Sequence, residues 1–411
     1  MKILALTLFG GMILGALGAC IDHTGATCQP ACGLGEVCDQ RTRECVAAPI
    51  QKFEGDLPGR SAGVVKLDGR VFFAGISEGN IIAGQIRRDG HDTVKLATVG
   101  RIQRVRIAAY GERVVVVWPG QDNRFALATR ARSSENWTFE EVSGTYTAGA
   151  NFDVKVWAGE VHIVFQDADR SLKHLWKAPA DQSWTLELVD DGGPADNGIS
   201  CPDSLRRTRT PGGVGVAPSL LLGAQSVAVA YQDDDCGDLR LARKTAETWT
   251  VDVVDVGSSD GRGARGRIGA HIHMNQAQNG QIGIAYHDEG LAALKYASPV
   301  DRGFAIGVVD SGTSIDALAR ESKTVVGLFP SLVFTSRNEP RIAYMDGTQG
   351  RVRLAGRALE ALDWSNAIAL SQSPVGWWTS HIISDDVSLI FSARFVPSGE
   401  GLRMRLEAQW E

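Results

Sequence analysis

The feature that most limits how this chain can fold is a short strand that keeps returning. It is seen in Val114-Val115-Val116-Val117-Trp118, Val161-His162-Ile163-Val164-Phe165-Gln166-Asp167 and Val227-Ala228-Val229-Ala230-Tyr231-Gln232-Asp233. Ile282-Gly283-Ile284-Ala285-Tyr286-His287-Asp288 and Arg341-Ile342-Ala343-Tyr344-Met345-Asp346 repeat it, and Val71-Phe72-Phe73-Ala74-Gly75 and Ser388-Leu389-Ile390-Phe391 are degenerate copies at either end. With Gly75, Trp118, Phe165, Tyr231, Tyr286, Tyr344 and Phe391 as equivalent anchors, neighbouring copies lie 43 to 66 residues apart. Self-similarity on that period means one supersecondary unit stacked or arrayed many times.

Four of the anchors are followed by a turn and a strand of Leu-x-x-Ala type: Leu239–Ala242 and Leu294–Ala297, with Leu172–Leu175 and Val352–Ala355 in variant forms. A further strand often opens with Trp-Thr, as at Trp137, Trp184 and Trp249, and a short apolar strand precedes each anchor. Four strands per unit with alternating apolar residues and no helical stretch predict an all-β chain, a seven-bladed β-propeller of four-stranded antiparallel blades. The chain stops after Leu402–Trp410, one strand short of a complete last blade, so the segment Ile50–Phe53 is expected to close the ring beside it.

The run of apolar-x-apolar-Ala-Tyr-x-Asp, turn, Leu-x-Tyr-Ala and Trp-Thr resembles the sialidase-like, or BNR-type, propeller superfamily, over roughly Phe53 to Glu411. The resemblance implies the fold; propellers host enzymes, lectins, receptors and scaffolds alike. A sialidase would carry an arginine cluster, a tyrosine–glutamate pair and an acidic group. Ser133-Ser134-Glu135-Asn136-Trp137-Thr138 lacks both the Asp and the Gly of the superfamily's Asp box, and no tyrosine–glutamate pair can be placed beside the arginines.

Ahead of the repeats, Met1-Lys2 and an apolar run to Ala19 form a signal peptide, 1–19. Leu17-Gly18-Ala19-Cys20 resembles the bacterial lipobox, which implies lipid attachment at Cys20 and export to the cell envelope, on a bacterial membrane, the outer one by expectation. Residues 20–48 hold Cys28, Cys32, Cys38 and Cys45 with almost no apolar side chains, a segment that needs staples to be ordered. Its spacing resembles short EGF-like modules; disulfides are the expected state, in any of three pairings, with a zinc site the competing reading. The propeller then spans 49–411.

Several smaller motifs are open to two readings. The repeated Asp167, Asp233, Asp288 and Asp346 sit where an aspartate bonds its own turn, which is the structural alternative to a ring of metal ligands. Asp233-Asp234-Asp235-Cys236-Gly237-Asp238 is dense in oxygen ligands but lacks EF-hand spacing. Gly261-x-Gly263-x-x-Gly266 matches a dinucleotide fingerprint without the helix that fingerprint requires. His271 and His273 share one face of a strand, as metal ligands do, or line a channel. Cys201 and Cys236 flank the longest insertion, Asp191 to Pro218, and are expected to be disulfide-bonded; its Arg206 and Arg207 mark a candidate ligand surface. Inner strands of a propeller converge on one mouth of the channel, which would gather Arg60, Arg104, Asp153, Ser219, His271, Ser331 and His381; of these Arg60, Arg104, Asp153, His271 and His381 are candidate ligand contacts.

A net charge of −6 argues against a general nucleic-acid binder. No cofactor or metal is expected, and a monomer is. The leading reading is a non-enzymatic lipoprotein whose propeller binds an unidentified protein or glycan. The alternative is a carbohydrate-binding protein or carbohydrate-active enzyme of the sialidase-like superfamily.

Overall fold

A computed structural model describes residues 62–369, apart from 69, 78, 88–89, 99–103, 121, 200–212, 224–225, 257–266, 316–320, 360 and 362, together with the backbone of strands within 36–55 and 379–410. Every regular element among the described residues is a strand. Sheet I contains Ala62–Leu67, Arg70–Ser77, Asn80–Arg87 and Val94–Thr98, with Gly90–His91 as a short fifth strand. Sheet II contains Arg106–Tyr110, Arg113–Pro119, Phe125–Ala131 and Trp137–Glu141; sheet III, Phe152–Trp157, Glu160–Gln166, Leu172–Lys177 and Thr185–Asp190. Sheet IV contains Val214–Gly223, Ser226–Asp233, Asp238–Thr245 and Thr248–Asp255; sheet V, Ile268–Gln276, Ile282–Asp288, Ala293–Pro299 and Phe304–Asp310. Sheet VI contains Val326–Phe334, Pro340–Asp346, Arg351–Gly356 and Ser365–Ala369. Sheet VII contains Thr379–Ser384, Val387–Ser398 and Gly401–Trp410, and its fourth strand is Lys52–Gly55.

The first strand of each sheet lies beside the first strand of the next, and Thr379–Ser384 returns to Ala62–Leu67, so the seven first strands form a closed ring. That arrangement is a β-propeller. Lys52 faces Gln409 and Gly55 faces Leu406 in antiparallel register, so the chain's early residues supply the fourth strand of its last sheet. Further toward the N-terminus, Glu36–Cys38 pairs with Cys45–Ala47, with Cys38 opposite Cys45. Cys20, Cys28 and Cys32 lie outside the described residues.

The core is not central but sits between sheets. Val116 and Trp118 of sheet II cluster with Ile81 and Ala83 of sheet I, and Phe165 of sheet III clusters with Phe125 of sheet II. Tyr231, Tyr286 and Tyr344, the aromatic anchors of sheets IV to VI, are fully buried in the same way. Each buries an aromatic body whose hydroxyl needs a partner. Tyr231 donates to Asp190 at 2.6 Å, Tyr286 to Asp255 at 2.7 Å and Tyr344 to Asp310 at 2.7 Å, in each case an aspartate at the end of the preceding sheet.

The repeated aspartates serve the turns. Asp233 accepts the N–H groups of Asp235 and Cys236, Asp288 that of Leu291, and Asp346 those of Thr348 and Gln349, all at 2.9–3.2 Å. Their other oxygen holds a base on the next strand: Arg240 on Asp233 at 2.7 Å, Lys295 on Asp288 at 3.3 Å, Arg353 on Asp346 at 2.6 Å.

The insertion before sheet IV ends five residues earlier than the sequence suggests, since Val214–Gly223 is already strand and contains Pro218. Val214-Gly215-Val216-Ala217-Pro218-Ser219 and Val326-Gly327-Leu328-Phe329-Pro330-Ser331 share a bulged entry, with positive φ at both glycines and at Ala217 and Phe329. Gly327 is required: a Cβ there would meet the Leu294 backbone at 2.8 Å. A second departure from four strands per unit is the hairpin Thr313–Ile315 with Glu321–Lys323, inserted between sheets V and VI.

Candidate functional sites: the channel ring and the clefts between sheets

The pairing register decides which inner-strand residues are equivalent. Asp153 faces Val164, Ser219 faces Ala230, Ser331 faces Ala343 and His381 faces Ile390, each one residue before the anchor. By the same rule sheet II contributes Arg106, opposite Val117, sheet V contributes His273, opposite Ala285, and sheet I contributes Gly63, opposite Ala74. Arg104 and His271 are therefore displaced by two residues from the positions expected for them, and Gly63 occupies the position expected for Arg60. The cause in sheet V is the irregularity between Ile268 and Ile272, which adds residues to the entry of the strand. Arg60, Arg206, Arg207 and Cys201 lie outside the described residues, and His381 is described in backbone alone. Cys236 is disulfide-bonded.

Four consecutive members of this ring do the same job. Arg106 Nε donates to the Phe152 carbonyl at 3.2 Å, Asp153 accepts the Leu220 N–H at 2.9 Å, Ser219 accepts the Met274 N–H at 2.9 Å and His273 Nδ1 accepts the Leu332 N–H at 2.9 Å. An inner strand leaves one row of backbone groups unpaired at the channel, and buried groups of that kind need partners. The ring side chains supply them from the neighbouring sheet. The polar channel is thus engaged in holding sheets together.

Charge across the channel is nonetheless felt. Burial pushes His273 down to about 4, with Lys155 adding to the effect and Asp153 opposing it. Burial likewise pushes His271 down to about 4, helped by His287 and Arg104, and its ring lies 4.2 Å from that of Phe329. Arg104 is pushed down to about 9 by burial and by Arg106, against Asp153, and its Nη1 is buried with no partner among the described residues. Arg104, Asp153 and His271 converge with Arg106, with His273, already noted beside His271 in the sequence, and with Lys155, which the sequence did not single out.

The acidic run at 233–238 is occupied by arginines: Asp233 by Arg240, Asp234 by Arg267, and Asp235 by Arg170 at 3.0 Å. No cluster of three metal-ligating side chains exists among the described residues. The 261–266 glycine run lies outside them.

A second set of sites was missed by sequence reasoning: the clefts between the outer strands of adjacent sheets. The Trp-Thr strand supplies a tryptophan opposite a base on the strand before it, as Arg130 opposite Trp137 and Lys244 opposite Trp249. Between sheets II and III, Glu140 of sheet II accepts Lys177 Nζ at 2.7 Å and Trp184 Nε1 at 2.8 Å. Between III and IV, Glu187 accepts Lys244 Nζ at 2.6 Å and Trp249 Nε1 at 3.2 Å, and also Trp176 and His174 of its own sheet. The hydrogen bond from His174, and Lys244 after it, hold Glu187 well below the usual carboxylate range against the opposing effect of burial. His162 in turn shares a 3.0 Å hydrogen bond with His174.

Between sheets I and II the same cleft is open. It has a volume of about 630 Å³ and is lined by Asp92, Val94 and Lys95 from sheet I and its loop, and by Arg130, Glu135, Asn136, Trp137 and Phe139 from sheet II. Phe139 is 58 % exposed, whereas Arg130 is only 6 % exposed, its guanidinium near the faces of Phe72 and Trp137. Arg130 Nε donates to the Ser134 carbonyl at 2.9 Å, and Trp137 Nε1 is buried with no partner among the described residues.

Compared with known proteins, the chain matches no family model and no curated protein. Among solved structures it is similar to the BP39L lectin from Burkholderia pseudomallei, with 12 % identity, a TM-score of 0.60, and coverage of 87 % of this chain and 96 % of that one. Weaker likenesses are to the SapL1 lectin in complex with α-methyl fucoside, at 12 % identity and TM-score 0.46 over 78 % of this chain and 98 % of that one, and to an Aleuria aurantia lectin variant in complex with α-methyl-L-fucoside, at 12 % identity and TM-score 0.44 over 73 % and 92 %. The first of these supports the propeller fold on its own.

Proposed function

We propose that this chain is an exported, lipid-anchored, seven-bladed propeller that binds carbohydrate without transforming it, through clefts between its blades. The observation that carries the reading is the open cleft between sheets I and II. It offers an exposed aromatic face, Phe139, beside Trp137, with amide, carboxylate and cationic groups from Asn136, Glu135, Asp92, Lys95 and Arg130 around it. Sugars present C–H faces and hydroxyl edges together, and an aromatic platform ringed by hydrogen-bonding groups matches both. The likeness in fold to a lectin supports the same reading. Binding is favoured over a sialidase-type reaction because the tyrosine–carboxylate pairs found here, such as Tyr231 with Asp190, are buried within the sheets, where no substrate reaches them. The anchor at Cys20 and the cysteine module at 20–48 would hold the propeller off the membrane that carries it.

The test is a glycan array probed with the full chain in detergent, with Phe139→Ala as the control. Phe139 is mostly exposed, so its loss leaves the fold intact. Binding to a defined set of glycans that falls in the variant supports the reading. Binding unchanged in the variant moves the site elsewhere, and no binding to any glycan returns protein interaction to first place.

A further inference from the structure

The clefts between sheets are variations on one arrangement, and the variation is not random. Three residues after the Trp-Thr tryptophan, opposite the third position of the Leu-x-x-Ala strand or its equivalent, stands a residue that faces the next sheet. It is Glu140 in sheet II, opposite Leu127, and Glu187 in sheet III, opposite His174. The position opposite Ala83 in sheet I is Val94, and the one opposite Tyr296 in sheet V is Gly307. Where acid and base are both present, the base across the cleft is lysine, Lys177 or Lys244, and the pair is closed. Where the acid is missing, the base is arginine.

Both arginines lack a carboxylate partner among the described residues. Arg130 lies in the cleft that Val94 lines. Arg357, beyond Gly307, stacks with its guanidinium 5.1 Å from the Trp364 ring and 5.4 Å from that of Tyr296. The first cleft also keeps a buried donor with no partner among the described residues, Trp137 Nε1; the buried Tyr296 hydroxyl instead lies beside Gly283 and Phe334, away from Gly307. Sheet IV shows what happens when the base is absent instead. Asp252 holds the acid position, opposite Leu241, but sheet V offers Pro299 opposite Phe304, and Asp252 turns to Arg243 of its own sheet.

Leaving a buried N–H without an acceptor is costly, and folded proteins rarely do it without a use. An arginine held flat against an aromatic ring keeps its N–H fork available for a planar, bidentate acceptor. We infer that the I/II and V/VI clefts are twin binding sites for a carboxylate-bearing sugar, a uronic-acid unit of an acidic polysaccharide, whose carboxylate takes the place that Glu140 and Glu187 fill in the closed clefts. In the first site it bonds Arg130 and Trp137 Nε1 over Val94; in the second it bonds Arg357, packed against the Trp364 and Tyr296 rings, in the open space over Gly307. Space exists at both positions: the first lies in the cleft already described, and a side chain grown from Gly307 would meet nothing within 4 Å.

This inference rests on the carbohydrate-binding reading and is tested so that the two fail separately. The full chain in detergent is titrated calorimetrically with a galacturonic-acid oligosaccharide and with the same oligosaccharide as its methyl ester. Two sites per chain for the acid, and affinity about tenfold or more weaker for the ester, are expected, the scale of a lost charge-assisted hydrogen bond. Val94→Glu and Gly307→Glu each supply the missing acid from within, so each should remove one site, and the double variant both; because they copy the closed clefts, they should fold at least as stably as the parent. Equal binding of acid and ester, or acid binding that survives in the folded double variant, overturns the inference while leaving sugar binding in place. Glycan binding confined to neutral sugars does the same. No binding to any glycan overturns both.

Discussion

His273 Nδ1 accepts the backbone N–H of Leu332 at 2.9 Å, so an imidazole on the inner strand of sheet V holds the inner strand of sheet VI. To accept, that nitrogen must be unprotonated. His273→Ala would leave the N–H of a fully buried residue unpaired and is expected to cost about 1–3 kcal/mol. The same bond makes the ring acid-sensitive. In the unfolded chain the imidazole takes up a proton near its ordinary value of about 6.5, whereas in the fold it resists until about 4. Between those values the unfolded state holds more protons, so stability is lost as pH falls from about 6.5 to 4 and flattens below. His271, down to about 4, and His162, down to about 3, act in the same direction. Urea unfolding at pH 7, 5.5 and 4.5 measures the slope. In His273→Ser, which copies the Ser219 solution, the slope should be shallower.

Arg240 is 4 % exposed and bonds Asp233 at 2.7 Å and Asp190 at 3.0 Å, while Tyr231 donates to the same Asp190 oxygen. Replacing it with methionine keeps the packing but strands two buried carboxylates. The expected loss is about 3–5 kcal/mol, the cost of breaking a buried pair from one side. Tyr231→Phe removes one hydrogen bond to a charged group and should cost about 1.5–3 kcal/mol. Chemical denaturation of the two variants, compared with the parent, checks the order; equal losses would mean that Arg240 contributes packing and little charge.

Gly327 has φ +86° and no room for a Cβ against the Leu294 backbone, whereas Gly111, with φ +60°, has nothing within 4 Å. Alanine at either position incurs the left-handed penalty of about 1–2 kcal/mol. Only at 327 must the backbone of the neighbouring sheet also move. Gly327→Ala is therefore expected to lose clearly more stability than Gly111→Ala, read as the difference in urea midpoint.

Much of this fold is written in period-two alternation and in the aromatic anchors, because burial between sheets demands both. The closing strand at Lys52–Gly55 could be located from the missing partner of Leu402–Trp410 alone. Register was harder. Counting back from an anchor places Arg104 and His271 on the ring, but bulged entries shift residues without changing composition, and only the repeated Val-Gly-x-x-Pro-Ser at 214–219 and 326–331 hinted at them. The inter-sheet clefts were legible in principle: Glu140 and Glu187 each follow a Trp-Thr tryptophan by three residues. What hid them is that a cleft partner belongs to the next unit, so the pairing of Glu140 with Lys177 spans two repeats and shows in neither. Val94 and Gly307 are informative only once those acids are seen.

If the closed clefts are closed because the protein supplies its own carboxylate, removing that carboxylate should open one. The II/III cleft is the better choice, since among the described residues Glu140 bonds only Lys177 and Trp184, while Glu187 also holds His174 and Trp176. Glu140→Val with Lys177→Arg reproduces the set Val94, Arg130 and Trp137 one sheet further on. The variant should lose some stability, because Trp184 Nε1 gives up its acceptor, a loss of about 1–3 kcal/mol. It should also bind galacturonate oligosaccharide at one site more than the parent, by calorimetric stoichiometry, with the methyl ester again weaker. Glu140→Val alone leaves the more strongly hydrated and less fork-like lysine ammonium and should bind more weakly than the double variant. Unchanged stoichiometry in a folded double variant would show that Val94, Arg130 and Trp137 are not by themselves a carboxylate site, and that whatever the I/II cleft holds is selected by Asp92, Lys95 or Phe139 around them.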